Sequence, residues 1–524
     1  MARSLLRLIA YLPGLLLVAP LGFLLIQSLG SSAELIAHVS STQMQDALVT
    51  TSEMLVGVTL LCLVLGGASA WLLSRYEFWG ASFWRWSLLL SLALPAYVQS
   101  FLWISWLDYS GLVPTWLRDH TGATWTGVFS NYRSLPGLLV PVALAQFPYM
   151  YLLIFEGLET QSRNLSDAAR SLGLGRWRRF YKLDLPILVP WIASGVLLVG
   201  METLADFGSV SVFNLNVFTT VVYRAWFGLQ SIETASFFAM IHVLFLSLFV
   251  GVVLWFARRK KYTDPYAGRL KMERRRLNKT PSLAANLFIG VLWLISFVLP
   301  VLQLIYWSFS RPETFLDPRL LERATNSLLV AGLAAFIAVL FAAFLVFAHR
   351  FLKSADIAWA EKISSLGYGI PGTVIAVGWM AAVTRLWGAS LQSTALVALV
   401  TMLIGLATRF LALAQRPVMS AASRISTSIE ESSQSTGASL WRTLWHIHVP
   451  LLKNAFLIGF LFVFIDTLKE MPMTLLMRPY GWDTLAVRVY QYTSDFMWRE
   501  AAAPSLMIVV ASIVPIFLLR RRIQ

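Results

Sequence analysis

The sequence predicts an all-α polytopic membrane protein of about 12 transmembrane helices, arranged as two parallel six-helix repeats. Three observations carry this reading. Of the 524 residues, 57% are hydrophobic and only 13% are charged, with a mean hydropathy of +0.67, whereas a soluble domain carries about 25% charge. Apolar runs long enough to cross a bilayer recur along the whole chain. One stretch of the first half returns in the second at a constant offset. A soluble enzyme, a disordered scaffold and a secreted disulfide domain all disagree with this composition. The single cysteine, Cys62, lies inside an apolar run and allows no intrachain disulfide.

The spans fall near residues 8–28, 53–74, 86–106, 135–157, 188–211, 233–256, 284–308, 327–348, 363–385, 393–413, 454–476 and 501–519. The first passes 20 residues without a clean small-x-small cleavage pattern, so it reads as a retained span. With both termini inside, the inner segments 1–7, 75–85, 163–182, 258–279, 350–362, 409–453 and 520–522 carry 31 Lys and Arg. The outer loops carry 10, and Lys469 falls within a span. Excess Lys and Arg marks cytoplasmic loops, which places both termini in the cytoplasm. The net charge of +15 therefore reflects topology. Anionic lipid is a nearer partner than nucleic acid for the most basic stretch, 258–279.

The repeat sets the domain plan. Residues 167–190 align with 431–454 at an offset of 264, pairing Ser171 with Ser435, Gly173 with Gly437, Trp177 with Trp441, Arg178 with Arg442 and Pro186 with Pro450. The same offset pairs Glu202 with Asp466 and Asp206 with Glu470, then Thr220 with Thr484 and Arg224 with Arg488. Upstream, LPAYV at 94–98 matches IPGTV at 370–374 at an offset of 276, which assigns about 12 extra residues to the outer loop 107–134. The expected plan is a six-helix half at 1–257, a basic cytoplasmic linker at 258–283 and a second six-helix half at 284–524. Parallel repeats share an axis along the membrane normal, where a pathway naturally lies.

The loop after the fourth span of each half is long and has helical punctuation. Leu165, Ala169 and Leu172 recur at helical spacing before Gly173, and Ile425 and Ile429 before Gly437. Each glycine is placed to end its helix in the left-handed conformation. Trp177 with Phe180, and Trp441 with Trp445, mark a second short helix in each loop, and Pro186 and Pro450 lead into the next span. Packing on the parent bundle is the plainer reading, but a symmetric pair of such loops invites a symmetric partner.

These residues resemble the E-A-A-x3-G-x9-I-x-L-P motif of permease subunits of binding-protein-dependent ABC importers. The first copy has Asp167, Ala168, Ala169 and Gly173, then nine residues, then Leu183-Asp184-Leu185-Pro186. The second has Glu431, Ser432, Ser433 and Gly437, then nine residues, then Ile447-His448-Val449-Pro450. The departures are Asp for Glu, two Ser for two Ala, and Val for Leu, and both spacings are kept. The resemblance implies a type I ABC importer permease-like fold in a bacterial inner membrane. It makes residues 167–186 and 431–450 the coupling elements that dock on two copies of a separate ATPase. It adds an extracytoplasmic binding protein above. No G-x-x-x-x-G-K-[ST] run occurs, and Gly173-Leu174-Gly175 lacks the lysine. The chain is therefore expected to be no enzyme and to bind no cofactor itself, with Mg-ATP on the partner ATPase.

Glu202 and Asp206 are four residues apart, as on one helical face, and Asp466 and Glu470 are their repeat partners. A charge at a helix centre costs about 2.5–3.5 kcal/mol, so the four must face a wet interior or be neutralised. They are candidate pathway or gate residues, since an anionic ring favours cations. Structural pairing with Lys469, Arg224 or Arg488 is the alternative. The segments at 202–213 and 469–490 resemble those of ferric-iron importer permeases, and oxygen ligands suit that hard cation. Fused permeases for thiamine and phosphonate share the architecture and stay open as substrates. No His/Cys cluster supports a stable metal site. Two rival classes fit less well. A secondary transporter would have short loops after each fourth span. A membrane enzyme would need a constellation that His38, His120, His242, His349, His446 and His448 do not form.

Overall fold

The computed structural model describes residues 2–121, 132–161, 171, 175–258, 274–315, 317–388 and 394–523. The first part of the chain forms α1 (Ala2–Ser28), α2 (Gln45–Arg75), α3 (Ala96–Leu107), α4 (Leu135–Glu159), α5 (Leu185–Ala205), α6 (Gly208–Val212), α7 (Phe218–Phe227) and α8 (Ile232–Arg258). The second part forms α9 (Lys279–Trp293), α10 (Leu299–Ser310), α11 (Pro318–Leu352), α12 (Gly372–Trp387), α13 (Ala395–Arg409), α14 (Leu411–Ala422), α15 (Thr427–Ser435), α16 (Val449–Lys469), α17 (Pro472–Met477), α18 (Leu485–Ser494) and α19 (Ala502–Ile523). Among the described residues, eight helices are long and apolar enough to span a membrane, and a shorter apolar helix covers Ala502–Leu518.

Three of the expected spans are not simple rods. The run at 86–106 is a pair bent by 87°, that at 363–385 a pair bent by 114°, and that at 393–413 a pair bent by 48°. The first two breaks fall on the LPAYV and IPGTV repeats. Proline disfavours helical backbone in the residue before it, and Leu94 and Ile370 are extended, with ψ of 114° and 128°. The helices restart just after Pro95 and Pro371.

Proline also shapes the starts of α5 and α16. Pro186 and Pro450 lack an N–H, so the helical ladder must shift. One π-helical turn precedes each, at Phe180–Asp184 and Leu444–His448. These turns, α5 and α16 correspond residue for residue at the offset of 264. The correspondence then slips: α6 and α17 both follow the break directly, but α7 begins at Phe218 and α18 at Leu485. Thr484 is the N-cap of α18 and Val217 that of α7, so Thr220 and Arg224 do not match Thr484 and Arg488 in the structure.

The packing crosses between the two parts. One core joins Val58, Phe101, Phe147 and Val199 of α2–α5 to Ile289, Leu292 and Leu304 of α9 and α10. The other joins Ala334, Val374, Leu406 and Val463 of α11–α16 to Leu6, Leu17 and Leu24 of α1. The leading helix of each part thus packs in the other part's core. Polar bonds fix the crossing: Ser91 with Ser296 at 2.8 Å, Trp84 Nε1 to Asn286 Oδ1 at 2.8 Å, and Gln99 to the Ser296 carbonyl. Inside a membrane, close backbone approach and such bonds hold helices together. Gly378 shows the first effect, since a Cβ there would sit 2.8 Å from the Pro20 carbonyl oxygen. A two-residue parallel pairing, β1 (Tyr76–Glu77) with β2 (Arg275–Arg276), ties the end of the linker to the end of α2.

Candidate functional site: a cavity at the helix breaks

The breaks meet. A cavity of about 130 Å³ is lined by Leu94–Tyr97 at the α3 break, Asp206–Gly208 beyond α5, Glu470–Pro472 beyond α16, and Arg409 and Phe410 between α13 and α14. All four carboxylates singled out in the sequence, Glu202, Asp206, Asp466 and Glu470, line it. Interrupted backbone at membrane depth is tolerated where it borders such a space.

The four carboxylates are not equivalent. Asp206 and Glu470 do not continue the helical face of Glu202 and Asp466, because α5 ends at Ala205 and α16 at Lys469. Both residues are extended, with ψ of 121° and 116°. Asp206 Oδ1 accepts from the Ser209 N–H at 2.9 Å. Glu470 accepts from Met473 N at 3.0 Å and Thr474 N at 3.1 Å. Each therefore caps the short helix after its break, where an acidic side chain meets the positive end of the helix. Glu202 accepts from the Tyr368 hydroxyl at 2.5 Å.

The neutralising cations differ from those weighed in the sequence. Lys469 pairs with Asp466 at 3.2 Å and donates to the Leu92 carbonyl at 3.0 Å. Arg409, counted with the cytoplasmic segment 409–453, is instead buried in the cavity and donates to Glu470. Arg224 donates to Asn214 and Asn216, and Arg488 to Gln491 while stacking over Tyr492; neither meets these carboxylates. Sequence reasoning missed Arg409 because a cation at the end of an apolar run looks like a topology marker. It also missed Tyr149 and Tyr368, which look like ordinary apolar filling.

The second long loop is fully described in its backbone. The helix α15 ends in a left-handed turn at Gly437, with φ of +77°, and the Ala438 N–H reaches back to the Ser433 carbonyl at 3.2 Å. This closes the carbonyl end as a glycine C-cap does. Glu431 and Ser432 are exposed, whereas Ser433 is buried and bonds Thr443 at 2.8 Å. Trp441 packs half-buried against Phe344, and Trp445 is exposed. Below, Arg350 at the end of α11 bonds Glu430 and the carbonyls of Ala422 and Ile425, and His448 Nε2 lies 3.2 Å from Glu430. In the first loop Asp167, Ala168, Ala169 and Gly173 lie outside the described residues, as does the side chain of Trp177. Pro186 stands at the start of α5, as Pro450 does at the start of α16. There Arg75 of α2 bonds Gln161 and pairs with Asp184 at 3.8 Å. Asp184 holds the place that His448 takes in the second loop. An acid facing Arg75 thus stands where the second loop has a histidine beside Glu430.

Residues 63–262 match the profile of the family described as binding-protein-dependent transport system inner membrane component. With its multi-pass helical fold, the chain is an inner-membrane permease component of a binding-protein-dependent ABC importer. Within that class it is 28% identical over 488 residues to the Fe(3+)-transport system permease protein FbpB 2 of Haemophilus influenzae, covering 91% of this chain and 90% of the relative. It is 34% identical over 158 residues to the molybdenum transport system permease protein ModB of Escherichia coli, covering 30% of this chain and 66% of that one. A solved bacterial alginate ABC transporter, in complex with alginate pentasaccharide-bound periplasmic protein, aligns with a TM-score of 0.37 and 14% identity, covering 46% of this chain and 94% of that one.

Proposed function

We propose that this permease passes ferric iron from its binding protein to the cytoplasm. The observation that carries the reading is the cavity's charge: four carboxylates from both parts of the chain face two cations, Arg409 and Lys469. The excess is negative, and an anionic lining lowers the barrier to a cation while raising it for an oxyanion. That weighs against molybdate or sulfate, although permeases for such ions are related in sequence. The extended likeness to a ferric permease points the same way.

In this reading residues 1–257 and 284–524 are the two permease halves, joined by the linker 258–283, with both termini in the cytoplasm. Two copies of an ATPase, each with Mg-ATP, engage residues 167–186 and 431–450. On the second loop the exposed Glu431, Ser432 and Trp445 make the contact, while Ser433 and Arg350 keep the loop in shape. The test is uptake of radiolabelled ferric iron by iron-starved cells with and without this chain, with molybdate and thiamine as controls. Uptake that needs both the chain and ATP supports the assignment; iron uptake independent of the chain, with a deficit in a control substrate, replaces it.

A further inference from the structure

At the cavity, side-chain oxygens from both parts of the chain meet at Glu202. Tyr368 donates to Glu202 at 2.5 Å. Tyr149 and Asp466 line the same cavity as Glu202, and the bond to Glu202 brings Tyr368 to its edge. Glu202 and Tyr149 belong to α5 and α4, Asp466 to α16, and Tyr368 to the turn before α12. Among the described residues, no three His, Cys, Asp or Glu side chains converge to hold a metal by themselves. The phenols are what complete a set. A separate observation marks the space as made for a polar guest. Tyr97 lines the same cavity, is 7% exposed, and its hydroxyl has no hydrogen-bond partner. Asp206 Oδ2 also borders the cavity without a hydrogen-bond partner.

We propose that Glu202, Asp466, Tyr149 and Tyr368 form a transient ferric site through which the cargo passes, an inference that rests on the ferric reading above. Hard cations take oxygen donors, and phenolate and carboxylate are anionic ones. Each phenol that binds exchanges its O–H bond for an O–Fe bond, and the proton leaves to water; the iron stays ferric throughout. Charge closes as well. Three positive charges on the ion and one on Lys469 balance the four anionic donors, Arg409 balances Glu470, and Asp206 leaves the filled cavity a single negative charge, where a larger net charge would be costly. Two donors come from each half. Any motion that parts the halves removes ligands from the ion, which links affinity to the conformational cycle without a dedicated gate.

The full chain, purified in lipid nanodiscs, is titrated with ferric citrate and, separately, with gallium citrate. Ferric phenolate has a visible charge-transfer absorption that gallium cannot produce. The expected result is a saturable band with iron alone, weakened by Tyr149→Phe or Tyr368→Phe and abolished by both. Glu202→Gln lowers the apparent affinity on the order of tenfold or more. No band in the parent chain at saturating ferric citrate, or an undiminished band in the double variant, overturns the proposed ligands. Cellular ferric uptake separates the two levels. Full uptake by the double-Phe variant removes this site but keeps the ferric reading, whereas no chain-dependent ferric uptake by the parent removes the reading beneath it.

Discussion

Arg409 donates to Glu470 inside the cavity, with 7% and 2% of the two side chains exposed, although they stand 61 residues apart in the chain. Gly372 makes room for them, since a Cβ there would collide with both groups. The pair neutralises one carboxylate at the break after α16, while the first half has Asp206 at the matching place with a free oxygen. The halves are therefore alike in path and unlike in charge.

Arg409→Leu leaves Glu470 buried without its cation. Breaking such a pair costs about 3–5 kcal/mol, while replacing both members by apolar residues is often neutral. A lower melting temperature in detergent is expected for the single variant and recovery for Arg409→Leu with Glu470→Leu. Equal stability of all three would show that the pair does not hold the break together.

Glu202→Gln with Asp466→Asn keeps shape and removes two negative charges from the cavity. Ferric flux in vesicles carrying the assembled importer is expected to fall at least severalfold. Assembly, read by co-purification of the ATPase, should persist. Normal flux in this variant would return both residues to a structural role.

Gly437→Ala meets no neighbouring atom, so its cost is the left-handed backbone alone, about 1–2 kcal/mol. Partial loss of transport per ATP is expected. Gly437→Pro also fixes φ in the opposite region and should abolish coupling while cargo binding survives. Comparing ATP hydrolysis with uptake in the two variants checks the order.

Gly66→Ala tests packing rather than function. A Cβ there would sit 2.7 Å from Tyr151 N and 2.8 Å from the Phe147 carbonyl oxygen, both rigid backbone of α4. Overpacking of this kind costs about 1–3 kcal/mol or more. Reduced yield and melting temperature are expected, against near-parental values for Gly251→Ala, whose Cβ meets nothing.

Arg350→Ala removes the brace under the second loop and takes one donor each from Glu430 and the Ala422 and Ile425 carbonyls. Weaker ATPase association is expected with the cavity unaltered, read as lost co-purification while ferric binding is retained. Unchanged association would place the docking surface elsewhere.

The sequence by itself determined the membrane class, the position of each apolar run, the internal repeat, the glycine-centred loop at 431–450 and the four carboxylates that border the cavity. Each is a property of neighbouring residues or of two stretches compared directly: a run of apolar side chains, a fixed spacing, a charge where hydrocarbon should be. It also held the cause of two helix breaks, in Pro95 and Pro371, though hydropathy averaged across them. Only the tertiary structure decided that α1 and the α9–α10 pair cross into the opposite cores, that four breaks border one cavity, and that Asp206 and Glu470 turn to cap new helices. It alone brought Arg409 to Glu470 and Tyr368 to Glu202, a pair 166 residues apart. Such meetings depend on how helices approach one another. An arginine at a span's end looks the same in sequence whether it points to the cytoplasm or to a buried carboxylate, and packing chooses between them by the cost of leaving that charge alone.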